Sequence, residues 1–181
     1  QYNAKDDIHT IFTKADYGLS KCKLQEPFSL YISTEESTLS LLGKEEFFNI
    51  IFNAMEEKRL SMALQAVIDT KDNTIVHKEV YLRLISPEGE VFSAGHLMPM
   101  IYTLDLQVNV DKYIIKQAIS QERHRQSPIA INLSLDFIKD SAIVQWLHNL
   151  LKKQKLQYPF YFELSNSAII NNIEASINFS K

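Results

Sequence analysis

The sequence predicts an α/β protein whose strands run parallel to their neighbours, and three observations predict it. Short β-branched and aromatic runs alternate with longer stretches whose apolar residues recur every three or four positions, in the order strand, strand, helix, strand, helix, strand, helix. Of 181 residues, 45% are hydrophobic, enough for a sizeable core. Each predicted strand also finishes with a polar group that core packing does not explain: Gln65, Glu79 with Arg83, Asn132 and Glu163. Parallel strands deliver such groups to a crevice at their carboxyl ends.

The elements follow in chain order. Residues 6–24 place Ile8, Ile11, Phe12, Ala15, Leu19 and Cys22 at helical spacing, as one amphipathic helix or two. "FSLYIS" (28–33) alternates as a short strand, and "TEESTLS" reads as a connector. "KEEFFNIIFNAMEEKR" carries Phe47, Ile50, Ile51, Ala54 and Met55 on one helical face. "LSMALQAVID" (60–69) and "VHKEVYLRLI" are strands joined by the turn-forming "TKDNTI", which predicts a hairpin. "SPEGEVFSAGHLMP", punctuated by Pro and Gly, reads as a loop, and "LQVNVDKYIIKQAISQERHR" as a helix built on Val110, Tyr113, Ile114, Ala118 and Ile119. "SPIAINLSL" (127–135) is a strand. "DFIKDSAIVQWLHNLLKKQK" is a helix burying Trp146, Leu147, Leu150 and Leu151. "YPFYFELS" (158–165) is a strand, and "NSAIINNIEASINFSK" begins a further helix.

Composition excludes several function classes. With 19 basic and 22 acidic residues the net charge is −3, so no broad positive field draws the chain onto a nucleic-acid polymer. The four glycines never cluster, which excludes phosphate-cradling glycine loops. A single cysteine, Cys22, sits on the apolar side of its helix; it forms no internal disulfide or zinc cluster, reads as inert, and fits a reducing compartment. No apolar run approaches the roughly 20 residues of a spanning helix, and the first residues lack a signal-peptide layout, so no direct membrane contact is expected in this segment.

Glu79, Asn132 and Glu163 offer two carboxylates and an amide oxygen, the hard donors a magnesium-type cation accepts, and a guanidinium such as Arg83 suits a phosphate. Spacing alone leaves another reading open, in which Glu79 and Arg83 form an ordinary surface ion pair worth about 0–1 kcal/mol. His77, two residues before Glu79, fits either a metal role or a hydrogen-bonded structural role. The scattered His9, His96, His124 and His148 need no more than solvated or capping roles. "QERHR" with "LLKKQK" lacks interleaved aromatics and reads as a solvated helix face, while Trp146 and "YPFYFEL" match core periodicity.

The segments "LQAVID", "EVYLR", "INLS" and "FELS" occur in the order of Q-P-I-V-D, E-A-L-L-R, V-N-L-S and E-I/L-T-E, the pattern of the EAL domain, the cyclic di-GMP phosphodiesterase family. "SPEGEVFSAGHLMPMIYTLDLQVNVDKYIIKQAI" resembles the family's stretch between them. Upstream, "FTKADYGLSKCK" is similar to the last helix of a GGDEF domain. The resemblance implies a GGDEF-like tail over 1–33, a linker over 34–43 and the first part of an EAL-like domain over 44–181, an incomplete TIM-like (β/α) barrel in a bacterial protein. "SAGHLMPM" resembles the divergent tandem receptors of the LapD type, and also the CsrD type of regulator.

In the family, two divalent cations polarise one phosphodiester of cyclic di-GMP and supply a hydroxide. Carried over motif by motif, Glu79, Asn132 and Glu163 are metal ligands, Arg83 clamps a phosphate oxygen and Gln65 contacts a guanine or its linkage. Tyr81 brings a ring to the ligand floor where the motif has leucine. Other departures are Ala66 for proline after Gln65, Ile101 and Tyr102 in place of the acidic turn, and Asn166 for the second glutamate. The sequence stops before the family's D-D-F-G-x-G loop, lysine strand and later glutamate. The resemblance therefore implies catalytic silence in these residues, with an unclosed barrel exposing an edge strand. The expected function is a degenerate receptor for cyclic di-GMP that needs no metal and works with a second copy or a partner protein. The alternatives are an active phosphodiesterase using Mg or Mn once the missing half is present, and a catalytically dead protein-binding regulator. The expected location is the cytoplasm, including the cytoplasmic part of an inner-membrane protein.

Overall fold

The computed structural model describes residues 8–23, 30–31 and 42–180. The described helices and strands are α1 (Ile8–Lys23), α2 (Lys44–Glu56), β1 (Leu60–Ile68), β2 (Ile75–Ile85), β3 (Val91–Ser93), α3 (Ala94–Thr103), α4 (Gln107–Ser120), β4 (Ile129–Asn132), α5 (Leu135–Lys139), α6 (Ser141–Lys152), β5 (Phe160–Glu163), α7 (Asn166–Asn171) and α8 (Ile173–Phe179), with a single 3-10 turn at Glu122–His124. The strands form one mixed sheet in the order β1-β2-β4-β5, with β3 also on β2. β2, β4 and β5 run parallel, as expected of an α/β fold, and β3 is antiparallel to β2. The predicted strand at 28–33 lies outside the described residues except for Leu30 and Tyr31, and the connector lies outside them up to residue 41.

Contacts group the described residues into two units. The first holds α1, α2, β3 and α3, with Leu60, Ser61 and the end of β2 from Arg83. Helix α2 forms because Phe47, Ile51 and Ala54 recur on one face, and all three are fully buried. Its C-terminus closes by a Schellman arrangement: Arg59 N–H donates to Ala54 O at 2.8 Å, while Lys58 takes the left-handed conformation with φ 58°.

Helix α3 stands where the sequence predicts a loop, and it contains Pro99. Proline has no N–H to give the carbonyl four residues back, that of Gly95. The Lys21 ammonium of α1 donates to that same carbonyl. Further along the same two helices the Ser20 and Thr103 hydroxyls meet 2.7 Å apart. An external donor therefore supplies what the proline removes, and the buried Leu97, Met100 and Ile101 complete an apolar face.

The second unit holds the rest. The β1–β2 turn closes with Asp69 N–H on Thr74 O at 2.9 Å and Asn73 N–H on Asp69 O at 2.8 Å, the predicted hairpin. Strand β4 is an internal parallel strand, so Ile129, Ala130 and Ile131 are all buried, unlike a strand with one wet face. Val110, Ile114, Ile115 and Ala118 of α4 and Phe137, Ile138 and Leu147 beyond β4 are buried too. The helix predicted from "DFIKD" to "KKQK" is two helices. Asp140 interrupts it because its carboxylate caps α6, accepting from Ala142 N–H at 2.8 Å and Ile143 N–H at 3.3 Å. The predicted last helix likewise breaks at Asn172, whose φ and ψ of −149° and 57° are not helical.

In the basic "QERHR" stretch Gln121, Arg123 and His124 are exposed, as on a solvated face, but Glu122 and Arg125 are not. Arg125, 7% exposed at its side chain, pairs with Glu122 at 2.5 Å, stacks 4.1 Å from the Phe160 ring centroid and donates to Tyr158 O at 2.5 Å. Glu122 also accepts from Gln157 N–H at 2.7 Å, so this pair pins the segment that leads into β5.

Candidate functional site

Asn132 and Glu163 are the last residues of β4 and β5 and are register partners. Leu133 N–H donates to Glu163 O at 2.9 Å, which locks the two strand ends together. Glu79 is not at a strand end. It faces Ala130 in the β2–β4 register, two residues short of the Asn132 level, and β2 continues to Ile85 because β3 extends its pairing.

These positions bring Glu79 and Glu163 together with His77. One imidazole nitrogen and one oxygen from each carboxylate all lie within 4.8 Å of one another, and the three residues are half-buried. His77 Nε2 is 4.0 Å from Glu163 Oε1. The ring is held edge-on by Tyr161, with centroids 5.7 Å apart and planes at 88°. The Tyr81 hydroxyl, on the same face of β2, donates to Glu79 Oε2.

The Asn132 end of β4 is braced from α4. Asp111 Oδ2 accepts from Ser134 N–H at 2.9 Å and from Ser134 Oγ at 2.6 Å, and Ser134 Oγ accepts from Phe137 N–H at 3.3 Å to start α5. Burial pushes the Asp111 carboxyl up to about 6, against the two hydrogen bonds from Ser134 and with the charge of Asp136 adding to the rise.

The remaining predicted residues are placed as follows. Gln65 is exposed on β1. Arg83 belongs to the first unit, where it is the register partner of Ser93. Among the other histidines, His96 Nδ1 lies 2.9 Å from Oγ of Ser93, the residue that precedes α3, a side-chain contact and not a cap. The sequence gives no role to Asp111 and reads Tyr161, within "YPFYFEL", as core, whereas Tyr161 is exposed and stands against His77. For Asp111 the one signal was a carboxylate one residue beyond Val110 on a helix otherwise rich in apolar positions. A groove of about 660 Å³ lined by Lys139, Val144, Gln145, Ile173, Asn178 and Phe179 contains none of the site residues.

Two carboxylates and an amide suit a hard cation, whereas the imidazole among them is a donor that magnesium seldom takes. Among the described residues no helix is long and apolar enough to cross a membrane.

The chain is similar to several known proteins. Signaling protein YkoW of Bacillus subtilis (strain 168) is 23% identical over 133 residues, which are 70% of this chain and 17% of that protein. The cyclic di-GMP-bound S helix-GGDEF-EAL structure of Vibrio cholerae LapD aligns with a TM-score of 0.80 at 21% identity, over 98% of this chain and 44% of that one. The FimX EAL domain of Pseudomonas aeruginosa, also bound to cyclic di-GMP, aligns with a TM-score of 0.65 at 21% identity, over 74% of this chain and 55% of that one. These likenesses match the α/β fold read from the sequence, as a truncated TIM-like arrangement, and the chain spans less than two thirds of each relative's length. The EAL domain model matches residues 49–180, most of the sequence, and on that match this chain belongs to the EAL domain family.

Proposed function

We propose that the chain is a receptor module that binds cyclic di-GMP without hydrolysing it. Its family membership and its likeness to LapD and FimX, both solved with that nucleotide, support the ligand. The observation that carries the receptor reading is the hydrogen bond from Tyr81 to Glu79 Oε2. The hydroxyl engages a carboxylate that a two-metal displacement would need as an open ligand, and it stands where the family motif has a leucine that offers no such partner. In this reading Arg83 clamps a phosphate oxygen, Gln65 contacts a guanine and the Tyr81 ring lies against the ligand. Were a magnesium or manganese pair to be bound, Glu79, Asn132 and Glu163 would hold it, and it would polarise the phosphate and supply hydroxide.

Residues 1–33 form the tail of a GGDEF-like domain and 34–43 a linker into the EAL-like part. The reach of the LapD likeness over 98% of the chain, against 74% for the isolated FimX EAL domain, supports that division. A cytosolic nucleotide puts the module in the cytoplasm, and a second copy or a partner protein reads its occupancy.

Calorimetry with cyclic di-GMP tests the reading. Micromolar or tighter binding, weakened at least about tenfold by Arg83→Ala, is expected, with no linear dinucleotide formed in magnesium or manganese. Equal affinity in the variant overturns the assignment of Arg83. Product formation replaces the receptor by a phosphodiesterase, and absence of any nucleotide binding replaces it by a protein-binding regulator.

A further inference from the structure

We propose that Lys78 and the Gln126–Ser127 backbone form a site for one phosphate group, free or as a phosphomonoester, at the end of β4 opposite to Asn132. The inference goes beyond the receptor reading and uses none of its residues.

A cavity of about 110 Å³ lies where β4 begins, and Lys78, His124, Arg125, Gln126 and Ser127 line it, with no carboxylate in the lining. The main chain brings Lys78 there: its N–H donates to Pro128 O at 2.9 Å, and it is the register partner of Ile129. A water takes about 30 Å³ of liquid, so the space accepts a tetrahedral oxyanion. It is well below the roughly 300–1,000 Å³ of pockets that enclose larger ligands.

Donors without acceptors collect around this space. Among the described residues the half-buried Lys78 ammonium has no ion pair and no hydrogen bond. Ser127 is 7% exposed, and its hydroxyl has no described partner either. That hydroxyl is not sealed in the protein, since among the described residues only Tyr113 keeps a fully enclosed side-chain oxygen without a partner. The N–H groups of Gln126 and Ser127 also find no backbone acceptor among the described residues. Buried donors of this kind are normally satisfied. Arg125 supplies a wall and little net charge, because Glu122 at 2.5 Å and the Tyr158 and Pro159 carbonyls hold its guanidinium. The unbalanced charge is therefore that of Lys78. An ammonium, a hydroxyl and two amide N–H groups match the several oxygens of a phosphate better than the two of a carboxylate, and lysine meets phosphate as a point charge.

The test uses the full chain, isotope-labelled for amide NMR at pH 7 and constant ionic strength. It is titrated in turn with inorganic phosphate, phenyl phosphate, acetate and chloride. Inorganic phosphate should shift the Gln126 and Ser127 amide signals along a saturating curve with a dissociation constant of about 1 mM or tighter. Lys78→Met should weaken that binding at least about tenfold while the remaining signals show an intact fold, and Ser127→Ala should weaken it less. Phenyl phosphate binding more tightly than inorganic phosphate marks an ester as the occupant, and the reverse order marks the free ion; both support the site. Shifts that never saturate, acetate binding as tightly as phosphate, or unchanged affinity in a folded Lys78→Met variant each overturn it. Should that variant not fold, saturation and its location in the unmodified chain decide. Cyclic di-GMP carries only diesters, so it should leave phosphate binding unchanged; competition between them overturns a separate site, and failure of cyclic di-GMP to bind removes the receptor alone.

Discussion

Asp111→Asn tests whether the Asp111 carboxylate is a strained support for the Asn132 end of β4. In the folded chain its pKa is raised from 3.8 to about 6, with burial the largest cause. An acid whose folded pKa is raised binds its proton more tightly in the native state, so the stability it contributes is present in full below about pH 4 and lost as the pH rises through 6. A gap of about two pH units, at about 1.4 kcal/mol each, makes the ionised carboxylate a burden of about 3 kcal/mol at pH 7. Asparagine has the same shape and can still accept from Ser134 N–H and Oγ, as Asp111 Oδ2 does at 2.9 and 2.6 Å, yet carries no charge.

Urea unfolding of both proteins at intervals from pH 4 to pH 8 isolates this single titration in the difference between them. The two should be nearly equally stable at pH 4, and the asparagine variant should pull ahead through pH 5–7 to a lead of about 2–3 kcal/mol. A flat difference across that range refutes the reasoning. So would a variant less stable at pH 7 by more than about 1 kcal/mol, because the ionised hydrogen bonds would then outweigh the cost of burial.

Arg125→Ala should cost about 3–5 kcal/mol in urea unfolding, since it strands the 12%-exposed Glu122 side chain without its cation and unpins Tyr158; a loss under about 1 kcal/mol would mean the pair is solvated after all. Burial pushes Glu122 upward, but its bonds from Arg125 and Gln157, with the Arg125 charge, hold it below its ordinary value. The stability it contributes should therefore be present at neutral pH and fade on acidification, and Glu122→Gln should flatten that part of the pH profile. Lys58→Gly should stabilise by about 0.5–1 kcal/mol, read as a higher thermal midpoint, because Lys58 holds φ 58° at the end of α2. Phe47→Ala, at a fully buried position, should cost about 3–5 kcal/mol.

The sequence carried the order of the parallel strands plainly, because a buried parallel strand such as "IAIN" is apolar on both faces and ends in a polar residue. It hid α3, since Gly95 and Pro99 read as loop punctuation and the donor that rescues the helix, Lys21, lies in a different element. It also hid the break at Asp140: the apolar period of α5 runs on into α6, and only the pairing of Asp140 with two backbone N–H groups reveals a cap in place of a helical residue. At the site, Asn132 and Glu163 were legible as polar ends of apolar strands. His77 was legible only as a neighbour of Glu79 with either of two roles, because its contact with Glu163 arises only through the β2-β4-β5 pairing, a long-range arrangement no local period encodes.

That pairing also bears on why one fold can serve as receptor or enzyme. The register fixes where Glu79, Asn132 and Glu163 stand, and the contacts of the glutamate side chains set which of their oxygens are engaged. Here a hydroxyl from Tyr81 occupies Glu79 Oε2, and an imidazole stands 4.0 Å from Glu163 Oε1. Each of these neighbours takes up part of one carboxylate oxygen and leaves the other oxygen of its glutamate to further partners. Leucine at position 81, as in the family motif, removes the hydroxyl and returns Glu79 Oε2 to the site. The identity of residue 81 therefore sets how the Glu79 carboxylate is held without altering the strand register beneath it.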